Sequence, residues 1–336
     1  MLALNIIDEL FTFGKIPIMS APMAGITDDA YRRIIAHPSV GADLTFTQML
    51  SAEGLIRGSR KSRAILNEGH GLTPWAVQLF GAKPESMARA AIIAEQTGYQ
   101  HIDINMGCPA HKVVKVGAGA VLLEDAERAI AVAGAVKASV GISVSAKLRL
   151  GKNPAQPTVL EIAPQLRDLG LAFITIHARY AQQGYDQPAD WGMLARIKEQ
   201  LGNFRLVGNG DIWTAGDGRR MVEATGVDGI MVGRGMLGNP WIFAELKAEM
   251  AGEKLPPAPT SSERAELMRE HLSLAVSNLG EKRAVREFRK HLGWYLHGFS
   301  GAANLRRRAL LVNTVPEVET LLQEFVLRSS EVVKEI

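Results

Sequence analysis

The chain of 336 residues holds one cysteine, Cys108, so an intrachain disulfide is excluded. What remains for that thiol is core packing, a role as nucleophile or proton donor, or none. No apolar run approaches the roughly 18 residues that would cross a bilayer. The opening residues Met1-Leu2-Ala3-Leu4-Asn5-Ile6-Ile7-Asp8-Glu9 carry acid and no basic segment, so no signal peptide is expected. With a single cysteine this predicts a cytoplasmic protein without a membrane partner. A net charge of only +3 does not by itself announce a nucleic-acid partner, and any such signal must lie in the charge distribution. No glycine-rich dinucleotide fingerprint follows the first strand-like segment, which argues against a doubly wound sheet. Hydrophobic residues at 47% and charged residues at 22% are those of a globular chain.

Short β-branched runs alternate with amphipathic stretches. The pattern predicts strands at 17–21, 43–47, 75–79, 101–105, 143–149, 173–177, 205–208 and 229–232. Helical periodicity lies between them at 84–97, 126–139, 158–169, 191–201 and 215–225. Strands alternating with helices pair in parallel, and eight units over some 240 residues match a (β/α)8 TIM barrel, typically about 250 residues long. Beyond Trp241 the pattern changes. The Pro-rich run Leu255-Pro256-Pro257-Ala258-Pro259 resists helix and sheet and reads as a linker. Only helical periodicity follows, at 262–279, 282–296, 302–312 and 317–329. The expected domains are a catalytic barrel over 1–250, a linker over 251–262 and a small all-helical domain over 263–336.

Catalytic groups of such barrels sit at the C-terminal ends of the strands. Those ends carry Pro22, Met23 and Ala24, then Gln48, Gln78, Asn105 to Pro109, Lys147 and Arg149, His177 and Arg179, Asn209 to Asp211, and Gly233 to Gly235. Cys108 lies in Asn105-Met106-Gly107-Cys108-Pro109, on a turn after a strand. Turn chemistry accounts for the glycines but not for Lys147 and Arg149 inside a strand, where an inward cation needs a partner. A lysine there can stabilise negative charge on a ring carbonyl or nitrogen, as at the N1 edge of a flavin. His177 reads equally as a cofactor hydrogen-bonding group, an acid, or a satisfied core histidine. Strands seven and eight form the usual phosphate corner. There the backbone of Asn209, Gly210, Asp211 and Gly233 offers N–H groups, and Arg234 adds a cationic fork. No metal site is expected.

These motifs together resemble the flavin-dependent tRNA-dihydrouridine synthases, and the tail resembles their bacterial B-type branch. The likeness rests on Ala21-Pro22-Met23-Ala24-Gly25-Ile26-Thr27-Asp28, Val77-Gln78-Leu79, Asp103-Ile104-Asn105-Met106-Gly107-Cys108-Pro109, Lys147-Leu148-Arg149, His177-Ala178-Arg179, Asn209-Gly210-Asp211-Ile212 and Val232-Gly233-Arg234-Gly235. In the tail it rests on Arg289-Lys290-His291-Leu292-Gly293-Trp294-Tyr295-Leu296 and Leu305-Arg306-Arg307-Arg308. It covers nearly the whole chain.

The resemblance implies one bound FMN, with NADPH as a transient reductant and tRNA as substrate. Pro22, Met23 and Ala24 would line the flavin ring, Gln78 its pyrimidine edge, Lys147 the N1/O2 edge with His177 nearby. Asn209, Gly210, Asp211, Gly233 and Arg234 would hold ribityl chain and phosphate. Asn105, Arg149 and Arg179 would hold the uracil, and Cys108 would protonate C5. Given a polyanionic substrate, Lys282, Arg286, Arg289, Lys290, Arg306, Arg307 and Arg308 become a phosphate-tracking surface. In the helix over 282–296, Lys282, Arg286 and Arg289 stand on another face from an expected buried stripe of Val285, Phe288, Leu292 and Tyr295. No obligate protein partner is evident, and a monomer is expected.

Two other readings stand beside this one. One is a barrel flavoenzyme on a free pyrimidine, like the dihydroorotate dehydrogenases, against which the basic tail argues. The other is an RNA-binding protein with a decayed site, against which Cys108, Lys147 and Arg234 argue. The chain departs from the family pattern at Gln48, usually Glu, at Val114, commonly Asn, and at Tyr180, usually Thr.

Overall fold

The computed structural model describes residues 6–332, apart from 13, 70, 73 and 299–301. Nine parallel strands run among these residues: β1 (Ile18–Ser20), β2 (Thr45–Phe46), β3 (Leu50–Ser51), β4 (Trp75–Phe80), β5 (His101–Met106), β6 (Ser143–Arg149), β7 (Phe173–His177), β8 (Leu206–Asn209) and β9 (Gly229–Val232). Their order is β1-β9-β8-β7-β6-β5-β4-β2, with β3 also on β4. The ring closes where Met19 bridges Leu44, Ser20 N donating to the Leu44 carbonyl at 3.0 Å. This is the TIM barrel expected from the alternation.

The second predicted strand is β2, and β3 beyond it is a further short strand that the alternation does not predict. Thr47 Oγ1, rather than a backbone carbonyl, accepts the Gln78 N–H at 3.1 Å, so the ladder breaks between β2 and β3. Gln48, in the gap, accepts the Gly25 N–H at 2.5 Å and ties the loop after β1 to the loop after β2.

The helices are α1 (Ile6–Leu10), α2 (Asp29–Ala36), α3 (Ala52–Ile56), α4 (Arg60–Leu66), α5 (Pro84–Thr97), α6 (His111–Val114), α7 (Ala126–Ser139), α8 (Val159–Asp168), α9 (Trp191–Leu201), α10 (Ala215–Thr225) and α11 (Ile242–Ala251). In the tail they are α12 (Ser261–Leu279), α13 (Glu281–Tyr295), α14 (Ala302–Ala309) and α15 (Val315–Val332). The local signals act as chemistry requires. In α5, Pro84 starts the helix, left-handed Gly98 ends it, and Met87, Ala90, Ala91 and Ala94 face the core. Thr260 and Glu263 form a capping box at the start of α12, which ends the Pro-rich segment.

The tail has its own core, in which Val285, Phe288, Leu292 and Tyr295 are all buried against residues such as Leu272, Leu305 and Leu322. A seam of specific contacts joins it to the barrel. Tyr31 on α2 lies 5.3 Å from both His271 and His291, and its hydroxyl donates to the Met236 carbonyl at 2.5 Å. Asn278 donates to Asp29 at 2.8 Å. Gly238, at φ 76°, lies so close to α13 that a Cβ would overlap the Trp294 carbonyl oxygen. No helix among the described residues is long and apolar enough to cross a membrane.

Candidate active site

A cavity of about 300 Å³ opens at the C-terminal ends of the barrel strands. Pro22, Met23, Ala24, Asn105, Cys108, Lys147, Arg149, His177, Arg179, Asn209, Gly210, Asp211, Gly233 and Arg234 all line it. Gln78 does not; it is fully buried deeper in the barrel.

The corner after β8 and β9 is rich in donors. The N–H groups of Gly210, Gly233 and Arg234 find no acceptor among the described residues. Asp211 adopts φ 55°, unlike every other non-glycine among those residues. Such strain persists only where surrounding contacts over-determine it. Here both carboxylate oxygens accept from Arg179 Nη2, at 2.6 and 2.7 Å. Oδ2 also accepts the Ala189 N–H at 2.7 Å, and Oδ1 accepts from Arg234 Nη2 at 3.2 Å. Burial raises the carboxyl group, but these hydrogen bonds and the two guanidinium charges outweigh it and hold it below the usual range. Arg179 is spent internally, since it also donates twice to the Gln187 carbonyl, at 3.1 and 2.8 Å.

Lys147 is half-buried and donates to Asn209 Oδ1 at 2.8 Å. Desolvation pushes its ammonium down to about 7, with Asp103 pulling up and Arg149 pushing down. His177 Nε2 faces Arg179 Nη1 at 3.3 Å. A guanidinium only donates, so Nε2 accepts and Nδ1 carries the hydrogen. Burial and then Lys147, Arg149, Arg179 and Arg234 push this imidazole well below its ordinary value. In that tautomer the neutral ring presents Nδ1–H as its donor.

The loop bearing Cys108 is held by a chain of amides. Asn105 Oδ1 accepts the N–H groups of Gly107 and Cys108, at 3.3 and 3.0 Å. Asn105 Nδ2 donates to Gln78 Oε1 at 2.9 Å, and Gln78 Nε2 to Asp103 Oδ2 at 2.7 Å. From the other side, Ser145 donates to Asp103 Oδ1 at 2.6 Å, and His101 bridges Ser145 and Ser143. Donors thus converge on Asp103 from both arms, which orients every amide up to Cys108. Burial lifts Asp103 to about 6, offset by hydrogen bonds from Gln78 and Ser145 and by the Lys147 charge. Arg149 braces the same loop, with Nε on the Gly107 carbonyl at 3.0 Å and Nη1 on the Tyr180 carbonyl at 2.8 Å. No hydrogen-bond partner of the Cys108 sulfur is found among the described residues, and the thiol is partly accessible.

Sequence reasoning missed Asp103, Met49, Tyr185 and Trp213, of which the last three line the cavity. The signal for Trp213 was its place directly after Asn209-Gly210-Asp211-Ile212. Tyr185 lies eight residues beyond His177, where a linear motif gives no direction.

On the tail, Lys282, Arg286 and Arg307 are exposed and Arg306 half-buried, and none has an ion pair or side-chain hydrogen bond with the described residues. Lys290 is half-buried. Arg289 is committed to the Val312 carbonyl at 2.8 Å and Asn313 at 2.7 Å, and Arg308 to Glu324.

A closed parallel barrel with a lysine, a thiol and an arginine-flanked donor corner around one cavity defines a TIM-barrel enzyme. The family model described as dihydrouridine synthase matches residues 19–331. A probable tRNA-dihydrouridine synthase of Mycobacterium tuberculosis is 38% identical, over 91% of this chain and 81% of that protein. The tRNA-dihydrouridine synthase B of Shewanella oneidensis is 37% identical over 84% and 87%, and that of Pasteurella multocida 36% over 84% of each. The chain belongs to the dihydrouridine synthase family; it is an oxidoreductase, and its cofactor is a flavin. The residues present fit that group: unspent backbone donors and Arg234 suit a phosphate, and the Lys147 ammonium and His177 Nδ1–H suit an electron-rich ring edge.

Proposed function

We propose that this chain reduces the C5=C6 bond of particular uridines in tRNA to 5,6-dihydrouridine, with FMN as its flavin and NADPH as the reductant. The observation that carries this reading is the Cys108 loop. It places a thiol with no basic partner among the described residues on a cavity that also bears Lys147, Arg149 and Arg234, and holds its loop through Asn105, Gln78 and Asp103.

Bound and reduced, the flavin supplies the hydride that uracil C6 accepts, because C5=C6 is conjugated with C4=O. The remaining work is the protein's. Cys108 gives its S–H proton to C5, and the resulting thiolate is reprotonated from water, so one hydride and one proton account for the two hydrogens added. A proton donor must keep its proton until the step, which suits a sulfur with no imidazole or ammonium bonded to it. Lys147 and His177 hold the ring edge where negative charge gathers. The donors of Gly210, Gly233 and Arg234 hold the phosphate, with Asn209 and Asp211 beside them. With Nε and Nη1 spent and Nη2 on the Tyr185 hydroxyl at 3.5 Å, Arg149 has the second Nη2 hydrogen for a uracil carbonyl. Asn105 and Arg179 act as positioning residues for the thiol loop and for Asp211. The unpaired cations Lys282, Arg286, Arg306 and Arg307 support a polyanionic substrate over a free pyrimidine.

Purified protein should be yellow, bleach with NADPH, and regain its colour on adding unmodified tRNA. Cys108→Ala should keep the flavin and lose about 10²- to 10⁴-fold in turnover on tRNA. Recovery of colour with free uracil or orotate in place of tRNA would overturn the substrate assignment. Full turnover by the variant would overturn the role of Cys108.

A further inference from the structure

Among the described residues, the exposed aromatic side chains are Tyr185, at 56%, and Trp213, at 48%, and both line the mouth of the active-site cavity. The other described Phe, Tyr and Trp side chains are buried or half-buried. The backbone that carries these two is anchored. The Tyr185 segment is pinned by Arg179 on the Gln187 carbonyl at 2.8 Å and by Gln183 on the Pro188 carbonyl at 2.7 Å. Trp213 N donates to Asp217 at 3.0 Å, beside the capping box that starts α10. Exposed aromatic faces on an anchored backbone have less ordering entropy to lose when a flat partner stacks on them.

Cations thread between the two rings. The Arg234 guanidinium lies 4.4 Å from the Tyr185 ring centre and 4.8 Å from the Trp213 ring centre. Arg149 and Arg179 lie 5.9 and 5.6 Å from the Tyr185 ring. Exposed aromatic rings beside guanidinium groups suit an unpaired nucleic-acid strand, whose bases can stack on them. The rim is also near the chemistry: Arg149 reaches the Tyr185 hydroxyl at 3.5 Å with Nη2 and the Gly107 carbonyl at 3.0 Å with Nε. One guanidinium therefore spans from the rim to the Cys108 loop.

We propose that Tyr185 and Trp213 form a stacking rim for a nucleobase adjacent to the reacting uridine in unpaired RNA; this rests on tRNA being the substrate. A base drawn into the cavity leaves its neighbour without a stacking partner, and the rim supplies one.

The test uses the flavin-loaded full chain and unmodified tRNA, with affinity measured over a series of salt concentrations. Tyr185→Ala and Trp213→Ala should each bind about tenfold more weakly. The slope of log affinity against log salt should be unchanged, because no cation is removed. Tyr185→Phe and Trp213→Phe should recover most of the affinity. A synthetic tRNA with an abasic site beside the target uridine should bind wild-type protein about tenfold more weakly, and should weaken the Ala variants no further. Two results would overturn the rim: Ala variants that bind tRNA as tightly as wild type, or variants that keep RNA affinity but slow flavin reduction by NADPH, which would assign the rim to the dinucleotide. Dihydrouridine formation by wild type is measured alongside. If it is absent, the substrate reading falls and the rim with it; if it is present and the Ala variants bind normally, only the rim falls.

Discussion

Lys147 is a cation on a barrel strand whose direct hydrogen-bond partner is the neutral side chain of Asn209. Its folded value of about 7 lies below lysine's ordinary 10.5, so the charge is largely complete at pH 6 and largely gone by pH 8.5. A ring edge carrying negative charge binds better to the charged form. The difference in flavin affinity between wild type and Lys147→Met should therefore shrink as pH rises from 6 to 8.5, read by fluorescence titration. A difference that grows with pH would show that the ammonium is not the group at the ring edge. That Lys147 and Arg149 needed partners was legible from their place inside an apolar strand, and the fold supplies Asn209 for one and two carbonyls for the other. Which group Gln78 serves was not legible. Strand alternation says that a side chain points inward but not at what depth, and Gln78 lies deep enough to meet Asp103 and Asn105. Asp103→Leu should remove the acceptor that orients this chain, leaving the Gln78 amide free to turn. Flavin binding should survive while turnover on tRNA falls about 10- to 100-fold, measured by single-turnover reoxidation.

At the scale of elements, the strand and helix signals were strong where side chains alone decide the outcome. All eight predicted strands stand within two residues of their expected bounds, and the buried stripe of α13 is the expected one. The additional strand β3 was hidden because a threonine replacing a backbone acceptor depends on a neighbouring strand. The turn after β5 has a comparable dependence. Gly119 adopts φ 67°, and a Cβ there would stand 2.5 Å from the Cys108 carbonyl oxygen. Gly119→Ala should cost at least ~1 kcal/mol through the left-handed backbone alone. It should also displace the thiol loop, so turnover on tRNA should fall by more than the melting temperature suggests. Thermal denaturation and steady-state rates on the same preparation separate the two effects.

Over the whole molecule, the barrel and a basic helical tail were both visible in the sequence, the first from alternation and the second from charge against few acids. What charge counting cannot reveal is which cations the fold has already spent. Arg289 and Arg308 hold the tail together through Val312, Asn313 and Glu324, whereas Lys282, Arg286, Arg306 and Arg307 have no ion-pair partner among the described residues. Replacing each unpaired cation by Gln should weaken tRNA binding and lower the salt slope by about one for every phosphate left without its cation. Arg289→Gln should instead register chiefly as reduced thermal stability.

The seam between tail and barrel carries a consequence for inheritance. The backbone after Arg234 continues through Met236, whose carbonyl receives the Tyr31 hydroxyl, to Gly238, which admits no side chain against Trp294. The stretch proposed to present a cationic fork to the cofactor is thus also the bearing surface for a tail helix. A tail borrowed from a distant relative would arrive with a differently shaped bearing and disturb the cofactor loop beside it. Lineages of this chain should therefore pass barrel and tail on as a matched pair, with changes in RNA preference accumulating on the outer faces of α13 and α14 rather than through exchange of the tail.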